Sequence, residues 1–209
     1  DLLGDALAGK HALSPRLLDA LRGDSSIHIV ANLPYNAAVP IILNALQCSY
    51  RAVTPPERRA EAVRFERITV TVQRELAERL LAEPGGGEYG PVGVLTALLA
   101  DRTAGRELPP QAFWPRPKVH SQMIRLDFRD DFARRLDNPE RLRALLAATF
   151  GLRRKKLFSA ARRRDLPFDR QTFLRTMTEA EIDPELRPEQ VAPRLWCDWA
   201  NRLAGSYKP

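Results

Sequence analysis

The sequence predicts an α/β chain, with a sheet-based domain over residues 1–128 followed by a small all-α domain over residues 129–209. Three observations carry this. A β-branched run at 27–31 (Ile27, Ile29 and Val30, closing on Ala31) has the length and composition of a buried strand. Two later stretches, 65–72 and 119–128, alternate apolar and polar residues as half-buried strands do, with helical spacing between them. After Arg129 strand signals cease and the charge balance changes: residues 1–128 hold 15 basic and 14 acidic side chains, residues 129–209 hold 18 and 12.

The totals bound the function. The chain of 209 residues is 44% hydrophobic, enough for a sizeable core, and carries a formal charge of +7. That excess favours a polyanionic partner. Cys48 and Cys197 are too few and too far apart for a disulfide framework or a zinc site, so no metal and a reducing interior are expected. The chain opens on Asp1 with no secretory pattern, and no apolar run reaches the ~18 residues of a membrane span. The expectation is a soluble cytoplasmic protein, monomeric and away from membranes.

In order, residues 1–7 read as the end of a strand and its turn, with Gly4 permitting the turn and Asp5 at the strand tip. Asp5 there suits a ribose or adenine amino group, and equally a plain helix cap. Ser14-Pro15 opens a helix to about Leu21. The strand at 27–31, with no sustained alternation, suits cover on both faces. Residues 37–46 place Val39, Ile42, Leu43 and Leu46 on one helical face, with Pro40 tolerated in the first turn. Residues 51–64 are polar and predict a surface loop. A strand over 65–72 and a helix over 73–82 follow, the latter marked by Leu76, Leu80 and Leu81. Pro84-Gly85-Gly86-Gly87 predicts a mobile loop and lacks the spacing of a dinucleotide fingerprint. Residues 90–100 predict a mostly apolar helix, and 104–108 lead into a stiff loop with four prolines around Phe113 and Trp114. Taken alone, those two rings fit ordinary core packing as well as a site wall. Asn138-Pro139 starts a helix with Leu142, Leu145, Leu146 and Phe150 on one face. Two or three short helices built around Phe173, Leu174, Ile182, Leu195, Trp196 and Trp199 complete the chain.

The chemistry is concentrated where the first strand ends, at Asn32-Leu33-Pro34-Tyr35. Pro34 cannot extend a ladder and pushes Leu33 into an extended conformation. The Asn32 amide, the Leu33 carbonyl and the Tyr35 ring therefore leave the sheet in a narrow arc at its carboxyl edge, where open α/β sheets bind ligands. Two acceptors can hold both hydrogens of an exocyclic amino group and aim its lone pair at an electrophile, while the ring stacks on an extruded base. The same four residues also fit an Asn-Pro turn with Tyr35 packed at a rim. Between Arg141 and Arg164 there are nine basic residues and no acidic one, including Arg153, Arg154, Lys155 and Lys156. A helix with an apolar seam and a cationic flank there fits a phosphate backbone.

Taken together, these segments resemble the ribosomal RNA adenine N6-dimethyltransferase family, of the small-subunit type. The resemblance rests on GDAL at 4–7, NLPYN at 32–36, QRELAERLLAEPG at 73–85, YGPVGVL at 89–95, AFWPRPKVHS at 112–121, FGLRRKKL at 150–157 and IDPELRPEQ at 182–190, in the family's order. It implies a partial Rossmann-like S-adenosylmethionine-dependent methyltransferase sheet and a helical RNA-binding domain. It implies methyl transfer from S-adenosylmethionine to two adjacent adenosines of small-subunit ribosomal RNA, with the small-subunit precursor as partner. Residue by residue, it makes Asn32 and the Leu33 carbonyl, shaped by Pro34, the holders of the adenine amino group. Tyr35 and Phe113 become the aromatic walls. Asp5 and Ala6, with Asn32, line the adenine end of the cofactor site, and Arg153, Arg154, Lys155, Lys156, Arg116 and Lys118 contact RNA. The family's Gly-rich turn precedes GDAL and nothing precedes Asp1 here, so the chain is taken as a truncated form of such an enzyme. A non-catalytic RNA-binding or ribosome-assembly factor on the same scaffold is the alternative. A DNA adenine methyltransferase is a weaker one, because those carry Pro where Leu33 stands.

Overall fold

A computed structural model describes residues 13–21, 26–54 and 63–208. In chain order the elements are α1 (Pro15–Ala20), β1 (Ile27–Asn32), α2 (Ala38–Val53), β2 (Phe65–Gln73), α3 (Arg74–Leu81), α4 (Pro91–Leu99), β3 (Ala100–Leu108), β4 (Ser121–Phe128), α5 (Asp130–Ala133), α6 (Pro139–Phe150), α7 (Arg170–Glu179) and α8 (Pro193–Arg202). Single turns of tighter helix lie at Pro110–Ala112, Leu157–Arg162 and Pro188–Gln190. The chain divides into two compact units, one of residues 1–81 with 99–134, the other of residues 82–98 with 135–209.

The first unit is built on a four-stranded mixed sheet in the order β1-β2-β4-β3. β1 runs parallel to β2, with Ile29 beside Ile68 and Asn32 beside Thr71. A parallel pair needs a crossover, and α2 is part of it. Its Ile41, Ile42, Ala45 and Leu46 are buried. β2 is central, burying Phe65, Ile68, Val70 and Val72. β4 pairs antiparallel to β2, with Val70 opposite Ile124 and Gln73 opposite Ser121. Ser49 ties α2 to the sheet: its buried hydroxyl accepts from the Phe65 N–H at 2.9 Å and lies 3.0 Å from the Phe65 carbonyl and 2.9 Å from that of Ala45.

Several expectations change here. α2 extends to Val53, past the expected end near Leu46, because Ser49, Tyr50 and Val53 are also buried. β1 is not covered on both faces: Val30 is 79% exposed. β1 is the outer strand of the described sheet, and its burial alternates because only one of its faces is covered by described residues. β3 was not expected at all. It is the opposite edge, mostly exposed, and its polar sequence ADRTAGREL gives no apolar period. Gly105 suits it because a Cβ there would lie 3.0 Å from Met123 on β4.

The second unit is helical, around a chain of rings. Trp196 and Trp199 stack with centroids 5.7 Å apart, Phe150 lies 5.6 Å from Trp196, and Phe173 lies 4.8 Å from Trp199. The Trp199 indole N–H donates to the Thr176 hydroxyl at 3.2 Å. Residues 82–98, which the sequence grouped with the sheet, belong to this unit. Buried Tyr89 sets its ring edge-on to Phe150 and its hydroxyl donates to the Val191 carbonyl at 3.0 Å. The loop at 84–87 is tied down, contrary to the expectation of mobility: the Gly85 N–H donates to the Glu189 carbonyl at 2.6 Å, and Arg153 donates to the carbonyls of Gly86 and Gly87. α6 starts as the sequence predicts, with the Asn138 side chain accepting from the Arg141 N–H at 2.9 Å. It ends at Phe150, so Arg153, Arg154, Lys155 and Lys156 lie on a turn and not on a helix. Gly151 is the C-cap of α6, and a glycine is a poor residue to carry a helix onward. No described helix is long and apolar enough to cross a membrane.

Candidate active site

The first strand delivers its tip as its sequence dictates. The Leu33 N–H donates to the Thr71 carbonyl at 3.1 Å, continuing the β1–β2 ladder by one rung, and the Leu33 side chain is buried. With Leu33 held inside, its neighbours Asn32, Pro34 and Tyr35 face outward. Pro34 then closes a turn, its carbonyl accepting from the Ala37 N–H at 3.0 Å, and α2 begins at Ala38. Among the described residues no donor reaches the Asn32 side chain or the Leu33 carbonyl. Two acceptors are thus open at one strand end, next to a ring that is 38% exposed.

That ring is anchored by a residue for which sequence reasoning gave no role. The Tyr35 and Ser121 hydroxyls are 3.2 Å apart. Ser121 is buried and opens β4 opposite Gln73, so its position is fixed by the sheet. A single serine at a strand start has no period to betray it; its place at the end of AFWPRPKVHS was the only signal. The loop bearing Phe113, Trp114, Arg116 and Lys118 runs into Ser121, and its last carbonyl, from His120, accepts the Arg74 N–H at 3.0 Å. Phe113 is half-buried on that loop, while Trp114, Arg116 and Lys118 are exposed.

Beside this anchor lies an open cavity of about 340 Å³ lined by Gln73, Arg74, Glu75, Glu78, Val119 and His120. Its cation is paired: the Glu78 carboxylate, hydrogen-bonded to Arg74 at 2.9 Å, together with the charge of Glu107, pushes the Arg74 guanidinium pKa up. Neither cysteine supplies a nucleophile. Burial, with the charges of Asp198 and Asp137, pushes the Cys197 thiol up to about 12, and burial also raises Cys48. No three described His, Cys, Asp or Glu side chains are placed to hold a metal.

Of the remaining expected site residues, Asp5 and Ala6 lie outside the described residues. Arg154 and Lys155 are exposed on the helical unit, whereas Arg153 is turned to the backbone of Gly86 and Gly87 and Lys156 is paired with Glu185.

The mixed sheet, carrying these side chains at its parallel carboxyl edge, is part of an S-adenosylmethionine-dependent methyltransferase fold. Solved structures agree: a dimethyladenosine transferase from Plasmodium falciparum superposes with a TM-score of 0.68 at 20% identity, over 82% of this chain and 64% of that one. The 23S rRNA methyltransferase ErmE gives 0.56 at 21% identity, over 90% and 69%. The model of the ribosomal RNA adenine dimethylase family matches residues 12–204, and the chain belongs to that family. Curated relatives named ribosomal RNA small subunit methyltransferase A include those of Clostridium perfringens, 32% identical over 87% of this chain, and Cereibacter sphaeroides, 34% identical over 96%. The chain spans 58% of the length of the first and 70% of the second.

Proposed function

We propose that this protein transfers methyl groups from S-adenosylmethionine to the N6 amino nitrogen of two adjacent adenosines in small-subunit ribosomal RNA, acting as a cytoplasmic monomer on the subunit precursor. The observation that carries this is the pair of open acceptors, the Asn32 side-chain oxygen and the Leu33 carbonyl, beside the Tyr35 ring. An adenine amino group is a weak nucleophile because its lone pair is delocalised into the purine. Accepting its two hydrogens at fixed points favours a pyramidal nitrogen whose lone pair faces the electrophile. When bound, S-adenosylmethionine supplies the electrophilic methyl group, and the exposed Asn32 amide at the strand end fits a place at its edge. Tyr35, and Phe113 from the loop above, hold the extruded purine by its faces. Asp5 and Ala6 complete the adenine end of the cofactor site, and Arg116, Lys118, Arg153, Arg154, Lys155 and Lys156 bind RNA. The sheet unit supplies catalysis and part of the RNA contact, and the helical unit adds RNA affinity.

The test is incorporation of labelled methyl groups into immature small subunits by the intact protein, run beside RNA binding. Asn32→Ala should abolish transfer and leave affinity within about threefold, since only the amino-group contact is lost. Equal loss of transfer and affinity would contradict the assignment. An intact wild type that binds the subunit and transfers no methyl would instead establish the assembly-factor reading.

A further inference from the structure

Among the described residues the exposed large apolar side chains are Val30, Tyr35, Trp114 and Val119, and three of these four belong to the strand-end turn and the proline-rich loop joined to it. Trp114 is the extreme case at 97% exposed, while the other two tryptophans, Trp196 and Trp199, are fully buried. The loop holds its ring out by construction. Pro109, Pro110, Pro115 and Pro117 restrict the backbone, the Ala112 N–H donates to the Pro109 carbonyl at 3.0 Å, and the far end is pinned through His120 and Ser121. A rigid, presented aromatic loses little entropy on binding. Its surroundings select the ligand: residues 109–121 contain Arg116 and Lys118 and no acidic residue, and neither cation is paired with a described carboxylate. An indole face flanked by two free cations matches a base with its neighbouring phosphates. Ser121, bonded to Tyr35, is seven residues from Trp114, a span of at most about 25 Å, so the ring stays within a few nucleotides of the strand-end turn.

We propose that Trp114 is a single-stranded RNA contact, stacking on an unpaired base that flanks the target adenosine while Arg116 and Lys118 hold the adjoining phosphates. This rests on the reading of RNA as substrate and adds a contact that discriminates unpaired from paired RNA next to the target. A base inside a duplex offers no free face, so the stretch beside the target must be unpaired for this contact to form.

Because the other indoles are buried, emission accessible to a soluble quencher comes from Trp114, and the protein carries its own reporter. The chain is titrated with a single-stranded oligoadenylate of about ten nucleotides, with the same length of duplex RNA, and with heparin, a polyanion without bases. The single strand should quench the emission and shield it from acrylamide, with heparin and duplex leaving it unchanged. Trp114→Ala should abolish that quenching and weaken single-strand binding at least fivefold, while Trp114→Phe recovers most of the affinity. The melting temperature of either variant should match wild type, because the side chain is 97% exposed. Single-strand binding with unchanged emission, heparin quenching equal to that of RNA, or unaltered affinity in Trp114→Ala would each overturn the inference and leave the RNA reading standing. Failure of the wild type to bind any RNA would remove both.

Discussion

At the scale of single residues, the site turns on how little freedom Tyr35 keeps. For the proposed stacking on a base, the ring must be held at the right tilt without being buried. The contact between the Tyr35 and Ser121 hydroxyls, 3.2 Å apart, provides this, because Ser121 is locked into the start of β4. The two side chains should therefore behave as one unit. Tyr35→Phe and Ser121→Ala should each lower kcat about fivefold, the worth of one neutral hydrogen bond, and leave RNA affinity nearly intact. The double variant should be no worse than either single one, since the second change removes a bond already lost. Additive losses would mean that the two hydroxyls act separately. Ser121→Thr, which keeps the hydroxyl, should recover part of the rate.

At the scale of elements, the sheet unit depends on the join between α2 and β2, where Ser49 satisfies the buried Phe65 N–H and faces the Phe65 carbonyl. Ser49→Ala leaves that N–H without a partner inside the protein, and should cost about 1–3 kcal/mol in a chemical denaturation experiment with an unchanged slope. Ser49→Cys, similar in size but a poor hydrogen-bonding group, should recover little of this. No sequence pattern announces such a bond, which joins residues sixteen positions apart. What the sequence does announce follows from burial. β2 and β4 were legible because one face of each is apolar, and α6 because Asn138-Pro139 marks its start. β3 was hidden because an edge strand exposed along most of its length needs no apolar period. The cover of β1 was overestimated for a related reason: β-branched residues state a strand, not how many of its faces are occupied. The placement of Asn32, Leu33 and Tyr35 at the strand end was legible because a proline after a strand constrains the backbone there. Ser121 and the cavity at Arg74 and His120 were not, because they arise from strand pairing across the sheet.

At the scale of the whole molecule, the formal charge of +7 is a poor guide until each cation is followed to its partner. Nine basic residues lie between Arg141 and Arg164, and the structure has already used several of them. Arg141 is buried near Asp137, Arg163 is bonded to Asp165, Lys156 to Glu185, and Arg153 to the carbonyls of Gly86 and Gly87. Arg154 and Lys155 are exposed and pair with no described residue. A cation free in the unbound protein can release a counterion from a phosphate; one already committed must first break a bond of its own. If the helical unit grips RNA, replacing Arg154 and Lys155 together by Ala should reduce the slope of log affinity against log salt by about 1.4–1.8, the equivalent of two phosphates. Lys156→Ala should change the slope less than either exposed cation. Arg153→Ala should show itself first as a lower melting temperature, through the loop at Gly86 and Gly87. The measurement is a set of RNA titrations across a salt series for each variant. An unchanged slope in the double variant, with binding intact, would move the phosphate contacts away from this turn and leave Arg116 and Lys118 as the principal ones.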